Sequence, residues 1–539
     1  MARFRRERFC LPLAEGKDRV SERFRVGVVG GGIAGAAAAT VLAERGAQVT
    51  LFERESSLGG RAGGFLRHLP SGEPLHMERG FHAFFRQYYN LKALLRRVDP
   101  SLSMLQPLQD YPILGPEGRV QTFADLPKRT PFQLISLVAR TPYLPLSALM
   151  QVNGRKALQM LMFDLLDTYR RYDHISAATY LDSLAFDETA RRMLFDVFAH
   201  SFFNPESDMS AAELLMMFHF YFTGNPEGLV FDVAKKPLSQ AIWQPYEAFL
   251  RDRGVGVRCG QAVENIEPGS GGHLRVVASD SSVDVDAVVL ALDVDALKGL
   301  VERSQALSAV RSQVAGLQVT RPFAVLRQYL DRPVQAQRAP FAGTTGFGLL
   351  DNISVYNHFQ DESASWSARH GGAVVELHAY AVPEGTSEDA LRRELVAGLH
   401  ALYPETRAAK VVDECLLVRR DCPAFAVGSH RQRPGVTTAL SHVTLAGDGI
   451  DVPVPCALME RAAVSGILAA NHLLAARGVR SEPVESIPTQ GLLARPRFRM
   501  RGKSGVATAS EVEQVSIASS KKLSKIDAQA RWEESPWAH

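Results

Sequence analysis

The sequence has few cysteines, little net charge and no long apolar run. Its five cysteines lie far apart except for Cys415 and Cys422, which favours neither a disulfide framework nor a metal site. A formal net charge of +3 over 539 residues is too small to predict a nucleic-acid partner. No stretch reaches the roughly 18 apolar residues of a membrane-spanning helix, and the first 15 residues lack the apolar core of a secretory signal. We therefore expect a cytoplasmic protein without a metal.

The chain is long enough to bury more than one hydrophobic core. Its composition, 46% hydrophobic and 22% charged, is that of a globular protein. After about residue 490 the sequence is rich in Ser, Lys, Arg, Glu and Gln, which predicts a disordered polar tail over 490–539. Residues 1–23 form a basic N-terminal arm, which is either a docking element for an anionic membrane surface or a solvated terminus.

Near the start of the chain, a β-branched run, a glycine-rich turn and an alanine-rich segment follow one another. The pattern predicts a strand over 25–29, a turn over 30–35 and a helix over 36–45. Gly30, Gly32 and Gly35 form a G-x-G-x-x-G motif. The first glycine permits the tight turn, the second lets the backbone approach a diphosphate, and the third lets the helix pack on the strand. A diphosphate at this turn lies at the positive end of the helix.

The next predicted strand ends on Glu53, 18 residues after Gly35. A carboxylate at this place accepts hydrogen bonds from the ribose hydroxyls of a bound dinucleotide. The glycine pattern alone is also typical of an ordinary turn, but its place between a strand and a helix, together with Glu53, predicts a dinucleotide site. The predicted contacts in this unit are Gly30, Gly31, Gly32, Ile33, Ala34, Gly35 and Glu53.

Three further segments favour FAD over NAD. In residues 53–64 the pair Gly59 and Gly60 lets the loop lie against a cofactor, and Arg61 offers a cation to a phosphate. This segment resembles the second phosphate-contacting element of flavin-dependent amine oxidases and carotenoid desaturases. Residues 445–466 resemble the closing flavin motif of the same superfamily, and residues 254–266 resemble its strand pair that approaches the adenine.

The superfamily resemblance covers about residues 24–480 and implies an α/β fold. A Rossmann-like FAD domain of the glutathione-reductase type would occupy 24–90, 240–300 and 436–480, and an interleaved, partly helical α+β substrate domain would occupy 91–239 and 301–435. Asp448 would lie near the ribityl or pyrophosphate part of FAD, and the helix after Pro455 would direct its positive end at the isoalloxazine. The implied contacts are Arg54, Gly59, Gly60, Arg61, Gly80, Phe81, His82, Val263, Gly447, Asp448, Pro455 and Leu458.

A narrower resemblance lies in residues 77–97. This run is similar to the bacterial carotene desaturase/methyltransferases of the isorenieratene synthase type, which convert carotenoid β-rings into aromatic rings. The resemblance implies FAD-dependent desaturation of a β-ring, with a methyl group migrating within the ring, and an electron acceptor whose class the sequence leaves open. A carotenoid substrate also implies a peripheral position on the inner face of the cell membrane.

Two sets of residues could contribute to such chemistry. His82 is the titratable residue nearest the flavin-side motif and is the candidate proton acceptor, with a purely structural role as the alternative. Aromatic side chains could line a tunnel for a polyene, although their helical spacing favours core packing for most of them. They are Phe81, Phe84, Phe85, Tyr88, Tyr89, Phe218, Phe220, Tyr221 and Phe222. The surrounding stretch, from about 91 to 231, has a mostly helical pattern.

Other functions are compatible with the same motifs. An acyclic carotene desaturase or a carotenoid isomerase would use the same cofactor on a different substrate or without net oxidation. A flavin amine oxidase would need an aromatic cage for the amine. A non-catalytic flavin-binding partner protein would hold FAD without turning over a substrate.

Overall fold

The computed structural model describes residues 8–127, 132, 136, 139–140, 153–185, 191–192, 200, 202–225, 227 and 229–494. The predicted tail from residue 495 onwards and the first seven residues of the predicted basic arm lie outside this part. Further along the arm, Phe9–Cys10 pairs with Glu485–Ser486, and Arg8 forms ion pairs with Glu227 and Glu485. These residues of the arm are therefore held on the fold.

Most strands of the described chain are short. In chain order they are β1 (Phe9–Cys10), β2 (Arg25–Val29), β3 (Gln48–Phe52), β4 (Gly64–His68), β5 (Pro74–Glu78), β6 (Phe84–Phe85), β7 (Leu105–Pro107), β8 (Ile113–Leu114), β9 (Val120–Gln121), β10 (Phe231–Ala234), β11 (Gly256–Arg258), β12 (Val263–Pro268), β13 (Leu274–Ala278), β14 (Ser281–Val285), β15 (Ala287–Leu290), β16 (Phe323–Leu330), β17 (Phe341–Thr344), β18 (Asn352–Val355), β19 (Ala373–Ala379), β20 (Val411–Arg419), β21 (Val443–Leu445) and β22 (Glu485–Ser486).

The α-helices of the described residues lie between these strands in the sequence. In chain order they are α1 (Ile33–Glu44), α2 (Tyr89–Leu95), α3 (Gly154–Leu161), α4 (Leu165–Tyr172), α5 (Ala177–Asp182), α6 (Ala211–Phe218), α7 (Gln244–Asp252), α8 (Val294–Arg303), α9 (Arg311–Val314), α10 (Asp361–His370), α11 (Glu388–Leu402) and α12 (Leu458–Ala475).

A five-stranded parallel sheet has the strand order β11-β3-β2-β15-β21. Its strands come from three separate stretches of the chain, as expected for a discontinuous Rossmann-like domain. Helix α1 is alanine-rich and buried along most of its length, so α12 can pack closely against it. A Cβ atom added at Gly466 of α12 would lie 2.2 Å from the carbonyl oxygen of Ala34, so this contact requires glycine.

A second, seven-stranded sheet has the order β20-β16-β19-β18-β17-β8-β9. It is antiparallel except between β8 and β17. Its central strands β16 and β19 are buried at every residue, which explains their nearly continuous apolar sequence. Helix α11 covers one face of the sheet through Leu391, Leu395 and Leu399. The other face carries Val325 and His378, which line the cavity described below.

The prediction of a mostly helical stretch from 91 to 231 is wrong in its first third. Helices α3 to α6 lie between 154 and 218, but the short strands β7, β8 and β9 lie within residues 105–121. These strands are two or three residues long, too short to produce an alternating pattern, and β8 pairs with residues 343–344, far along the chain. The domain bounds given above stay predictions.

Candidate active site

A cavity of about 610 Å³ lies between the carboxyl ends of the parallel strands and the seven-stranded sheet. Val29 and Phe52, which end β2 and β3, line it, as do Ala291 and Gly447, which follow β15 and β21. Cofactors of open α/β sheets bind at this edge. His378 of β19 contributes to the opposite wall.

The glycine turn requires glycine for steric reasons. Gly30 has a φ of 105°, and a Cβ atom there would lie 2.2 Å from the carbonyl oxygen of Ala291. A Cβ atom at Gly35 would lie 1.9 Å from the carbonyl oxygen of Gly30. At Gly32 the nearest atom to an added Cβ is the Cα of Gly60, at 3.9 Å, and Gly32 lines the cavity. The first and third glycines therefore satisfy packing, whereas the second keeps the cavity wall free of a side chain.

Glu53 is buried beside this turn and holds two loops. Its Oε2 accepts a hydrogen bond from the backbone N–H of Gly31 at 2.7 Å, and its Oε1 accepts one from Glu55 at 2.9 Å. The N–H of Gly59 donates to the carbonyl oxygen of Gly31, which brings the second glycine loop against the first. A carboxylate with one donor on each oxygen has lone pairs left for further donors, so Glu53 can still accept hydrogen bonds from the hydroxyls of a ribose.

Arg61 and Asp448, predicted from segments far apart in the chain, form an ion pair. Arg61 Nη1 lies 3.0 Å from Asp448 Oδ2, and the other nitrogen and oxygen are also in contact. Burial alone would lower the pKa of Arg61, but Asp448 outweighs it and raises the pKa well above its usual value. The prediction for Arg61 assigned its charge to a phosphate, whereas here a carboxylate already balances that charge.

Most of the predicted cofactor contacts lie on the cavity wall. They are Gly30, Gly32, Ile33, Ala34, Glu53, Arg54, Gly59, Gly60, Arg61, Gly80, Phe81, His82, Val263, Gly447, Asp448 and Leu458. Gly31, Gly35 and Pro455 do not line it: Gly31 bonds to Glu53, Gly35 packs against Gly30, and the Pro455 carbonyl accepts a hydrogen bond from Ser486. The geometry brings together residues from all the predicted motifs.

Two helices begin at this cavity without a capping side chain. Gly32 precedes α1 and Ala457 precedes α12, and neither provides a side-chain acceptor. The first N–H groups of an α-helix have no partner within the helix and attract anions. Leu458, the first residue of α12, lines the cavity and has a φ of 50°, a backbone conformation unusual for a residue with a side chain. These features fit a dinucleotide with its diphosphate at α1 and an electron-rich group at α12.

The other half of the cavity is aromatic. The Phe81 ring stacks on Phe341 with centroids 4.4 Å apart, and Phe231 packs edge-on against Phe81 at 5.9 Å. Further in, the hydroxyl groups of Tyr88 and Tyr221 form a hydrogen bond, with their oxygens 2.8 Å apart. All five residues line the cavity, which makes this half suitable for a planar apolar ligand.

The predicted aromatic set is divided between the wall and the core. Phe81, Phe85, Tyr88 and Tyr221 line the cavity, whereas Phe84, Tyr89, Phe218, Phe220 and Phe222 do not. Core packing is therefore the role of most, as their spacing favoured. Phe202, Phe203, Tyr111, Phe231, Phe323 and Phe341 also line the cavity. They were missed because they come from separate elements that only the fold brings together.

His82 lies on the cavity wall with its Nδ1 2.7 Å from the carbonyl oxygen of Gly80. Burial lowers the pKa of His82 more than the carbonyl group of Gly80, the charge of Glu376 and the carbonyl group of Arg61 raise it. The imidazole is therefore neutral at neutral pH, with the Nδ1 hydrogen donated to Gly80. A catalytic role for His82 stays a prediction.

A buried charged cluster behind the wall was not predicted. Arg327 bonds to Glu376 and to Glu78, each with a nitrogen-to-oxygen distance of 2.7 Å. Glu376 in turn bonds to His378, and His378 to Tyr380, at 2.7 and 2.8 Å. The sequence signal was alternation: positions 376 and 378 are polar in the otherwise apolar strand β19 and share one face of it, and Tyr380 follows at the same spacing.

Arg79, next to Glu78, lines the cavity and lies 3.5 Å from Asp421. The two neighbours therefore have different roles, since Glu78 is buried in the cluster and Arg79 is directed to the cavity.

In the described part of the chain, no group of three or more His, Cys, Asp or Glu side chains is arranged to hold a metal ion. None of the helices described is both long enough and apolar enough to cross a membrane.

Comparison with protein families gives a match to the flavin containing amine oxidoreductases over residues 33–474. The chain belongs to this family. Membership confirms the predicted superfamily and the flavin cofactor, FAD. It also confirms the predicted α/β fold with a Rossmann-like FAD-binding sheet.

Individual members of the family are similar over most of their length. A carotenoid phi-ring synthase of Streptomyces griseus is 45% identical over 489 residues, which are 90% of this chain and 95% of the relative. A carotenoid phi-ring synthase of Chlorobaculum tepidum is 28% identical, over 87% of this chain and 91% of the relative. Among solved structures, an oxidoreductase from Methanosarcina mazei superposes with a TM-score of 0.60 at 17% identity, covering 83% of this chain and 99% of that one. The structural likeness concerns the fold alone.

Proposed function

We propose that this flavoprotein oxidises a β-ring of a carotenoid to an aromatic ring, with one methyl group migrating within the ring. The main support for this proposal is that a single cavity contains both parts of the site. Its wall includes the glycine turn at Gly30 and Gly32 and the stacked rings of Phe81 and Phe341. A cofactor held at the turn and an apolar ring held by the aromatic half would therefore meet. The extended similarity to two carotenoid phi-ring synthases supports this choice of substrate.

The reaction sets definite requirements. Converting a trimethylcyclohexene ring into a trimethylphenyl ring removes four hydrogens, as two hydride ions and two protons, and leaves the number of methyl groups unchanged. Bound FAD supplies a hydride acceptor, and a separate electron acceptor must reoxidise it after each step. The methyl shift is intramolecular and needs no donor. The residues of the chain must therefore bind the ring, exclude water and accept protons.

The aromatic half of the cavity supplies the first two functions. Phe81, Phe231 and Phe341 form a mutually packed surface on which a conjugated ring gains dispersion and stacking. Such a wall offers no hydrogen bonds that would hold water near a cationic ring intermediate. On the sequence alone, His82 is the candidate for accepting the protons.

Pigment analysis tests the proposal. The chain is expressed in a β-carotene-producing host, with Gly32→Ala as the control variant. The carotenoids are separated by chromatography, and their masses are measured by mass spectrometry. We expect products lighter by four hydrogens per ring, with absorption spectra of aromatic end groups, and little product from the control. Unchanged β-carotene together with desaturation of acyclic carotenes would favour the acyclic desaturase. A product of unchanged mass would favour the isomerase, and peroxide formed from amines would favour an amine oxidase.

A peripheral position on the inner face of the cell membrane is the second part of the proposal. The apolar substrate supports it, because carotenoids reside in the lipid phase. Co-sedimentation of the purified protein with anionic lipid vesicles tests it, and we expect binding that weakens as salt increases. Protein that stays in the supernatant at low salt would contradict this part without affecting the enzymatic proposal.

A further inference from the structure

The buried cluster on β19 reaches the cavity at one end. Tyr380 and His378 line the cavity, whereas Glu376 and Arg327 are fully buried behind them. Arg327 lies directly opposite Glu376 on the neighbouring strand β16. A chain of hydrogen-bonding groups therefore leads from the cavity into the core.

The direction of each hydrogen bond can be assigned. Asn352 Nδ2 donates to the Tyr380 hydroxyl at 3.0 Å, which leaves the hydroxyl hydrogen for His378 Nδ1 at 2.8 Å. Glu376 is ionised, so His378 Nε2 carries a hydrogen and donates it to Glu376 Oε1 at 2.7 Å. The Phe81 N–H also points to Nε2, but at 3.4 Å this contact is too long to decide the tautomer. Tyr380 thus donates to His378, and His378 donates to Glu376.

Two carboxyl groups share one cation in the cluster. Glu78 and Glu376 are both within reach of the guanidinium of Arg327. Burial favours the neutral form of Glu376, but Arg327 and the bond from His378 outweigh it and hold the pKa at about 2. Burial raises the pKa of Glu78 more than Arg327 lowers it. An added proton on His378 would lie beside the ionised carboxylate of Glu376, so the site has a counter-charge ready for an imidazolium.

We propose that Tyr380 and His378 form a proton relay that accepts the protons released from the carotenoid ring, with Glu376 as the fixed counter-charge. This inference rests on the proposed function. After a hydride has left the ring, the C–H bond next to the cationic carbon breaks, and its electron pair forms the new double bond. The proton goes to the Tyr380 oxygen, while the original hydroxyl hydrogen passes to His378 Nδ1. Tyr380 ends as a neutral phenol and His378 as a cation paired with Glu376.

Tyr380 suits this role because it does not ionise on its own. Burial raises its pKa, so the phenol can take up a proton only while giving one to His378. Asp351 fixes its position, since the Tyr380 N–H donates to Asp351 Oδ2 at 2.5 Å. The Tyr380 ring also packs against Phe203, a cavity residue held at a φ of 61°.

His82 hydrogen-bonds to carbonyl groups and not to a carboxylate, although the charge of Glu376 also raises its pKa. Its contacts are the carbonyl oxygens of Gly80 and Arg61. Carbonyl dipoles can orient a neutral imidazole, but they balance a full positive charge in an apolar site less well than a carboxylate does. The relay through Tyr380 therefore replaces His82 as the favoured proton route.

The test compares the removal of two hydroxyl groups from the same hydrogen-bond network. Tyr380→Phe removes the hydroxyl that lines the cavity. Tyr356→Phe removes a hydroxyl that donates to the same Glu376 at 3.0 Å but does not line the cavity. Both holoenzymes are mixed anaerobically with β-carotene in detergent micelles, and flavin bleaching and the product of the first desaturation are followed in H2O and D2O. FAD content and thermal unfolding check that each variant is folded.

We expect Tyr380→Phe to form product at least about 100-fold more slowly, the usual size of a general-base contribution, and to lose the solvent isotope effect of the wild type. Tyr356→Phe should stay within about threefold of the wild type. If Tyr380→Phe does not retain FAD, His378→Gln decides, because glutamine can accept from Tyr380 and donate to Glu376 yet cannot be protonated.

Rates for Tyr380→Phe and His378→Gln within about threefold of the wild type would overturn the relay. Equal losses in the Tyr380 and Tyr356 variants would also overturn it, since the effect would then come from Glu376 alone. A wild type that neither bleaches nor forms product with β-carotene would refute the proposed function itself, which is a different result.

Discussion

Replacement of Gly32 by alanine should separate cofactor binding from folding. The φ of Gly32 is −75°, which alanine adopts easily, and the nearest atom to the new methyl group is 3.9 Å away. The protein itself therefore has room for the substitution. The methyl group would, however, project from the wall where a diphosphate must approach the N-terminus of α1. At Gly35 the same change would clash with the carbonyl oxygen of Gly30 at 1.9 Å and disturb the fold.

The magnitude follows from the hydrogen bonds at stake. A hydrogen bond to a charged group contributes about 1.5–3 kcal/mol, so displacement of one phosphate contact should weaken FAD binding roughly 10- to 150-fold. Exchange of glycine for alanine at a helix N-cap should lower the free energy of unfolding of the apoprotein by only about 1 kcal/mol.

Titration of apoprotein with FAD measures the dissociation constant, and chemical denaturation measures stability. Gly154→Ala is the matched control, because it stands at the start of α3 with no atom within 4 Å of an added Cβ. If Gly32→Ala bound FAD as tightly as this control, the diphosphate could not lie at the glycine turn.

Three other changes test the packing around the site. Glu213→Gln leaves Arg461 and Arg433 without their carboxylate and should destabilise the protein by about 3–5 kcal/mol in chemical denaturation. Burial opposes ionisation of Glu213, but the arginines hold its pKa at about 2, below the usual 4.5. The wild type should therefore lose more stability than the variant between pH 4.5 and 2. Burial raises the pKa of Glu460 to about 7, so its contribution to the stability of the folded protein should be lost as the pH rises from 4.5 through 7. Thermal unfolding of Glu460→Gln should not show this loss. Phe341→Ala removes the ring stacked on Phe81 and should raise the KM for carotenoid by about tenfold at unchanged FAD content.

The cofactor half of the site was accessible from the sequence because its signals are local. Gly30, Gly32 and Gly35 lie within one turn, and the strand and helix around them show their own periodicity. Glu53 follows one strand later, so its place beside the turn is a consequence of a single β-α-β unit. The backbone bond from Gly31 to Glu53 is the contact such a unit predicts.

The substrate half was less accessible because distant strands build it. Phe81 and Phe341 stack although 260 positions separate them, and only the register of the seven-stranded sheet brings Arg327 opposite Glu376. Pairing between remote strands leaves no mark in a local window. For the same reason, the sequence pattern predicted a helical region over residues 105–121, where the structure has the strands β7, β8 and β9.

One signal in the substrate half was nevertheless readable. A fully buried strand is usually apolar throughout, because an unpaired charge in the core costs several kcal/mol. In β19, glutamate and histidine interrupt the run at 376 and 378, and tyrosine follows at 380. Their spacing of two puts them on one face, so they can satisfy one another only if a cation from a neighbouring strand joins them, as Arg327 does. Alternating polar residues in an apolar strand thus predict a buried network, and a network that ends on a cavity wall is where proton transfer should first be sought.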